Sequence, residues 1–393
     1  MVRIDEIMIS LIAREVLGKK VDDVGIKKML SKNNKALETL YKLSKMHDLS
    51  HIVCLALKNI GLWGKDEIFS KFQRQQNLAV LRYEQQKYEL SDVENMFSDK
   101  AVLFLLLKGM CMKDLYPEPW MRTSSDIDIL VQKKDMQKAS DLLCKTREYT
   151  VRVSTDDMVA LVSKTGVCIE LHCLDERKPD FEVPLNIWEK AEKSEGTYRC
   201  YVSDELFYYC HTAHMVKNIR SGSCGVRTFL DMYLLTYRNE LDYEKAMELL
   251  DKNGYSKAAQ AFLKVSRVWF DNEEEDKLSQ IISKCVILSG VSGNSYSMTR
   301  VRQKIKGGKS KYILSRIFLP YYKMKKRFPV LEKHKWLLPF YHFKRLFIII
   351  SNGRIKASVD EIKMNASMTN ESIEELEYMF KELNLTPRES IMG

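Results

Sequence analysis

The sequence predicts an α+β protein in which a strand-rich core interrupts a largely helical chain, and three observations predict it. Short apolar or β-branched runs bounded by turn residues cluster between residues 96 and 200. Apolar positions at helical intervals fill the chain on either side. Two aspartates one residue apart, Asp126 and Asp128, sit inside one of the apolar runs. Asp is depleted in strands, and residues i and i+2 of a strand share a face, so this pair sets two carboxylates side by side. Like charges held that close call for a cation.

A chain of 393 residues is long enough for a large core and, at roughly 150 residues per domain, for two or three domains. Changes in composition divide it into helical residues 1–95, the strand-rich core 96–200, helical residues 201–290 and a basic, aromatic-rich helical region 291–393. With 45% hydrophobic and 30% charged residues, the chain has a globular composition. The stretch from Cys285 to Thr299, free of charged side chains, falls short of the ~20 apolar residues that a spanning helix needs, so no transmembrane segment is expected. The first turns mix Asp5, Glu6 and Arg14 with apolar residues, unlike a signal peptide. Nine cysteines without a CxxC pair fit reduced thiols, and both features point to the cytoplasm.

In chain order, Leu37, Leu40, Tyr41 and Leu43 repeat at helical spacing, as do Ile52, Leu55, Ala56 and Ile60, with Gly61 as a stop. Phe72 to Val93 reads as one exposed helix. Val102 to Leu107 suits a buried strand, ended by Lys108-Gly109, and Met110 to Leu115 fits one or two turns of helix. Tyr116-Pro117-Glu118-Pro119 is a loop, because two prolines two apart continue neither element. Ile127 to Val131 is the second strand and Asp135 to Leu143 a helix. Three further strands follow at Thr150 to Val153, Met158 to Ser163 and Val167 to Leu171, the last two joined by the turn Lys164-Thr165-Gly166. Trp188 to Lys193 reads as a short helix and Asp204 to Asn218 as a stronger one. Helices are also expected over Phe229 to Tyr237, Tyr243 to Leu250 and Ala258 to Phe270. Gly290 to Gly308 reads as a flexible or recognition loop, Arg354 to Leu385 as a charged helix, and Thr386 to Gly393 as a frayed end.

The last predicted strand carries Glu170, a third carboxylate for the aspartate pair. Such a set suits nucleotidyl transfer, in which charge builds on phosphoryl oxygens and on leaving pyrophosphate, so the protein mainly positions and neutralises. Two magnesium ions, or manganese in their place, would be held by Asp126, Asp128 and Glu170, since carboxylates are the hard oxygen ligands these ions take. Gly109 would let the backbone approach phosphate, and Lys108 and Arg122 would add positive charge near a nucleoside triphosphate. A charged edge strand would also present two aspartates, but it rarely accompanies both a Lys-Gly turn upstream and a strand glutamate downstream. His172 shares the strand face of Glu170 and is a candidate to orient a ligand. Of His211 and His214, one turn apart, one is expected to pack in the helical region and the other, assigned to nucleotide binding as His214, to face the cleft. Cys210, His211 and His214 lack the second ligand pair that a zinc site needs.

Lys108-Gly109, Leu115-Tyr116-Pro117, Arg122, Ser125 to Val131 and Ile169-Glu170-Leu171-His172 together resemble the core motifs of the bacterial "uncharacterised nucleotidyltransferase" family of the polymerase-beta-like superfamily. Leu37 to Leu62, His211, His214 and Phe229-Leu230-Asp231 resemble its flanking regions. The resemblance implies a polymerase-beta-like nucleotidyltransferase core, a small mixed sheet flanked by helices, and a divalent-metal transferase of ATP or another triphosphate. It names no acceptor: a small sugar or polyol phosphate, a protein hydroxyl and an RNA end all remain open. The wider superfamily follows its glycine with Gly or Ser, where this chain has Met110. Two alternatives stand beside this reading, a toxin–antitoxin type transferase acting on tRNA or a partner protein, and an inactive module that binds a triphosphate or polyanion.

The net charge of +10 is uneven. Residues 300–345 hold fifteen Lys or Arg against Glu332 alone, a local +14, which leaves 10 − 14 = −4 elsewhere. Aromatics interleave the same segment. Its readings are a solvated surface, a site for a polyanion such as RNA, or a patch for anionic lipid.

Overall fold

The computed structural model describes residues 3–31, 34–174, 182–238, 241–291, 293, 295–351, 363 and 365–387. It divides into two units, one formed by Met1–Val216 with Val226–Glu275, the other by Lys217–Gly225 with Asp276–Gly393.

The first unit is built on a seven-stranded mixed sheet. Its strands are β1 (Phe104–Leu107), β2 (Asp126–Val131), β3 (Thr150–Ser154), β4 (Met158–Val162), β5 (Cys168–His172), β6 (Glu192–Lys193) and β7 (Arg199–Tyr201), in the order β3-β4-β5-β2-β1-β7-β6. The α+β prediction holds. β2 lies between β1, antiparallel, and β5, parallel. Alternation along these strands sorts side chains by face. Ile127, Ile129 and Val131 of β2, with Ile169 and Leu171 of β5, enter a core shared with Leu90, Val93 and Phe97 of the helix Glu67–Asp99 and with Ala139 and Leu143 of the helix Met136–Arg147. Asp126 and Asp128 stand on the opposite face. The predicted turn closes the β4–β5 hairpin, with Gly166 at φ +87° donating its N–H to Ser163 O at 3.0 Å.

Three expectations are corrected. The helix over Phe72 to Val93 extends from Glu67 to Asp99, and it is not exposed along its length: Phe69, Phe72, Ala79, Leu90, Val93 and Phe97 are buried against neighbours that the sequence pattern does not reveal. Trp188 to Lys193 divides into a single turn, Ile187–Lys190, and the two-residue β6, while β7 was not foreseen; both strands are too short to show a period of two. The stretch Gly290 to Gly308 contains the helix Ser295–Lys306, despite its loop-like composition, because Thr299, Arg300, Val301 and Gln303 are buried.

Helices complete the first unit on either side of the sheet in sequence: Ile4–Leu17 packs on Ser50–Asn59, and Val226–Arg238 packs on Ser256–Asp271. The second unit is helical among its described residues. Lys277–Ser289, Ser295–Lys306 and Asn370–Glu382 pack together, joined by Arg300 Nε donating to Ser372 O at 2.6 Å and by Lys284 against Glu375 at 2.7 Å. Lys309–Ile317, Tyr321–Arg327 and Leu338–Ser351 follow the first two in the chain. Of the predicted helix Arg354 to Leu385, residues 354–362 and 364 lie outside the described residues, as does the end of the chain from 388.

Candidate active site

The parallel register of β2 and β5 pairs Asp128 with Glu170 and Leu130 with His172. Paired residues of parallel neighbours project to the same side, so a carboxylate from each strand meets there. His172 Nε2 donates to Asp128 Oδ1 at 2.8 Å and lies 3.5 Å from Glu170 Oε2. One ligand atom from each of Asp128, Glu170 and His172 falls within 4.8 Å of the others, the one such group among the described residues. His172 thus stands where the sequence reading put Asp126. Asp126 sits two residues before Asp128 on the same face and accepts from Ser125 Oγ at 3.1 Å.

β1 ends opposite this cluster, with Leu107 paired to Asp128, and delivers Lys108 to it. Lys108 Nζ lies 3.3 Å from Asp128 Oδ1 and 3.6 Å from Glu182 Oε2. The backbone of Lys108 takes φ +51°, ψ −121°, a region that glycine occupies readily and lysine rarely. Gly109 itself needs no unusual φ. Its lack of a side chain serves packing: a Cβ there would stand 2.9 Å from Ser124 Cβ. Met110, the departure from the superfamily pattern, packs against the core of the sheet.

The charges respond to one another. Burial raises Asp126, and the neighbouring charges of Asp128 and Glu170 raise it further. Burial also works against Asp128, but Lys108 and His172 outweigh it and hold this carboxyl down at about 2. Burial opposes the protonated His172, yet its bonds to Asp128 and Glu170 push it up to about 9. Lys108 is raised in the same way, burial being overcome by Glu182, Asp128 and Asp126. The carboxylates here therefore outnumber the cations, and two basic side chains are held charged by the excess.

Glu182 is the member that sequence reasoning missed. Besides Lys108 it accepts from His214 Nδ1 at 2.5 Å, so His214, on the helix Asp204–Ser221, reaches the cluster through it. Glu182 follows β5 by ten residues without lying in a periodic element, and nothing in its surroundings marks it. His211, one turn from His214, is buried, donates to Thr228 O at 3.0 Å and is pushed down to about 4 by desolvation.

Arg122 occupies a different place from the phosphate-facing one read from the sequence. It is buried, with Nε bonded to both oxygens of the fully buried Asp231 at 2.9 and 3.0 Å, and Nη1 donating to Thr123 O at 2.5 Å. Tyr116 OH donates to the same Asp231 Oδ1 at 2.7 Å. The Tyr116-Pro117 loop and Arg122, which precede β2, are thereby tied to the helix Val226–Arg238. Arg227 on that helix adds a contact to Thr123 Oγ1 at 3.0 Å and an ion pair with Asp48 at 2.5 Å.

Two groups of residues therefore emerge, an acidic cluster with basic partners on the central strands β5, β2 and β1, and a buried polar lock behind the loop that leads into β2. No curated protein matches the chain. A family profile matches residues 33–271, more than half of the chain and the whole of both groups. By that match the chain belongs to the family described as uncharacterised nucleotidyltransferase, whose reaction the clustered carboxylates of β2 and β5 are chemically suited to serve.

Proposed function

We propose that this chain transfers a nucleoside monophosphate group from a nucleoside triphosphate to an acceptor hydroxyl, with a divalent cation, magnesium or manganese, held by Asp126, Asp128 and Glu170. The observation that carries the reading is the pairing of Asp128 with Glu170 across the parallel β2–β5 register, with His172 within ligand distance of both. The donor set fits such an ion: the acids of adjacent strands converge, and the charges of Asp128 and Glu170 add to burial in raising Asp126. Three carboxylates supply the hard oxygen donors that magnesium and manganese both take. When bound, the cation polarises the phosphoryl oxygens and lowers the pKa of a coordinated hydroxyl.

The chain's own residues do the positioning. Lys108 carries a fixed ammonium to the acidic cluster, where it can pair with phosphate once the carboxylates are neutralised. His172 holds the Asp128 carboxylate in one orientation and supplies a protonated imidazole beside it. Glu182 and His214 fix Lys108 from the other side. Arg122 acts behind the site by anchoring the loop before β2, and Gly109 lets that turn close on Ser124. The acceptor class remains among the small sugar or polyol phosphates, protein hydroxyls and RNA ends.

The test is incubation of the purified protein with each labelled triphosphate in turn, with magnesium or manganese, while pyrophosphate release and label transfer are followed. Asp128→Asn and Glu170→Gln should each lower turnover by about 100-fold or more, since each removes charge stabilisation at the reacting phosphate. Unchanged pyrophosphate release in the double variant would sink the assignment of the site.

A further inference from the structure

The helix Leu338–Ser351 of the second unit is inside out. Its buried positions include His342 and Arg345, and Arg345 uses its guanidinium to cap two carbonyls at the end of the helix Lys309–Ile317, donating to Ile317 O at 3.0 Å and Arg316 O at 2.9 Å. Three of its exposed positions are phenylalanines. Phe340, Phe343 and Phe347 are 62%, 72% and 69% exposed, and Trp336 in the turn just before them is 76% exposed. Steps of three and four residues place the three phenylalanines on one narrow stripe of the helix surface, and Trp336 stands in the turn that leads into it. A helix whose only aim was to pack would have turned these rings inward and left the arginine in water.

Basic residues fill the same stretch of chain. Lys323, Lys325, Lys326, Arg327, Lys333, Lys335 and Lys344 are all exposed, and the single acid of the segment, Glu332, is taken up by Lys325 at 3.0 Å. We propose that this face is a docking surface for an anionic lipid bilayer, on which the helix lies in the plane of the interface with its rings among the upper acyl chains and the lysines among the headgroups. Trp at headgroup depth, Phe below it and flanking Lys and Arg are the arrangement that such surface helices use. The helix has 14 residues, short of the ~20 that crossing needs, and no described helix is long and apolar enough to span.

Charge complementarity selects this occupant over others. A second copy of the chain placed face to face would bring two basic flanks together. A single-stranded nucleic acid would find charge, but rings along one helix ridge form a convex surface and not a groove for stacked bases. The surface is independent of the transfer reaction proposed above.

The full-length protein floated with phosphatidylcholine vesicles, and with the same vesicles doped with phosphatidylglycerol, tests this. Binding is expected on the doped vesicles, weakening with salt, and the double substitution Phe340→Ser, Phe343→Ser should weaken it about 100-fold, as two buried rings are lost. Both positions are exposed, so the variant's unchanged circular dichroism will show that it folds. A blue shift of tryptophan emission on doped vesicles should shrink in Trp336→Phe. The proposal is overturned by failure of the wild type to float with doped vesicles, or by equal flotation of the double variant. It is likewise overturned if the wild type binds single-stranded RNA but no vesicle, or sediments as a dimer that the double variant breaks.

Discussion

Lys108 shows how one position can carry two demands. The turn that ends β1 places this residue at φ +51°, where a Cβ is disfavoured, and the same turn aims the ammonium at Asp128 and Glu182. A glycine would relax the backbone and leave the carboxylates without their partner. Lys108→Gly and Lys108→Met should therefore both lose triphosphate affinity in calorimetry, while Lys108→Gly unfolds in urea at about 1–2 kcal/mol higher stability than Lys108→Met. Equal stabilities would mean that the turn is not strained. The reading from sequence gave Gly109 a close backbone approach to phosphate, and the strained conformation falls instead on the residue before it. The acids of the proposed site stand out in sequence for a different reason: Asp126, Asp128 and Glu170 violate strand propensity inside apolar runs, and that kind of conflict shows in one dimension. Glu182 violates nothing, so only its three-dimensional neighbours reveal it.

Among elements, the loop before β2 and the helix Val226–Arg238 are joined by a buried ion pair with a shared tyrosine. Removing one partner of such a pair leaves the other charged and unsatisfied, at a cost of roughly 3–5 kcal/mol. Arg122→Ala and Asp231→Ala should each destabilise the protein by that order, and the double variant should cost less than the sum of the two in urea unfolding. Additive losses would show that the two residues do not act as a pair. Strand order follows the same logic of legibility. The hairpin β4–β5 was readable from its turn and its apolar runs, whereas the parallel β2–β5 contact, the edge strand β6 and its neighbour β7 depend on long-range pairing. The notional loop before Gly308 folds as a helix for the same reason, since burial of Val301 and Thr299 is a tertiary fact.

For the whole molecule, the buried His211 and the half-buried His172 set opposite limits on pH. His211 sits at about 4 against an ordinary 6.5, so the unfolded chain binds a proton more readily, and stability falls as pH drops from about 6.5 toward 4. His172 sits at about 9, so its contribution in metal-free protein is complete below about 6.5 and is lost as pH climbs through about 9. Thermal unfolding across this range should peak near the crossover. His211→Gln should flatten the acid limb and His172→Gln the alkaline limb; an unchanged profile in either variant would remove that histidine from the account. Composition foretold the molecule's charge division, since residues 300–345 carry +14, but the outward turn of their aromatics required the fold.

The lock formed by Tyr116, Arg122 and Asp231 bears on inheritance as well as on stability. Its members are 115 and 109 positions apart in the chain, so a recombination event that moved the strand-rich segment without the later helix would leave a buried guanidinium stranded. The helix Val226–Arg238 and the sheet are thus bound to travel together through evolution, and a gene fragment ending before Asp231 should yield insoluble protein even though it encodes every acid of the transfer site.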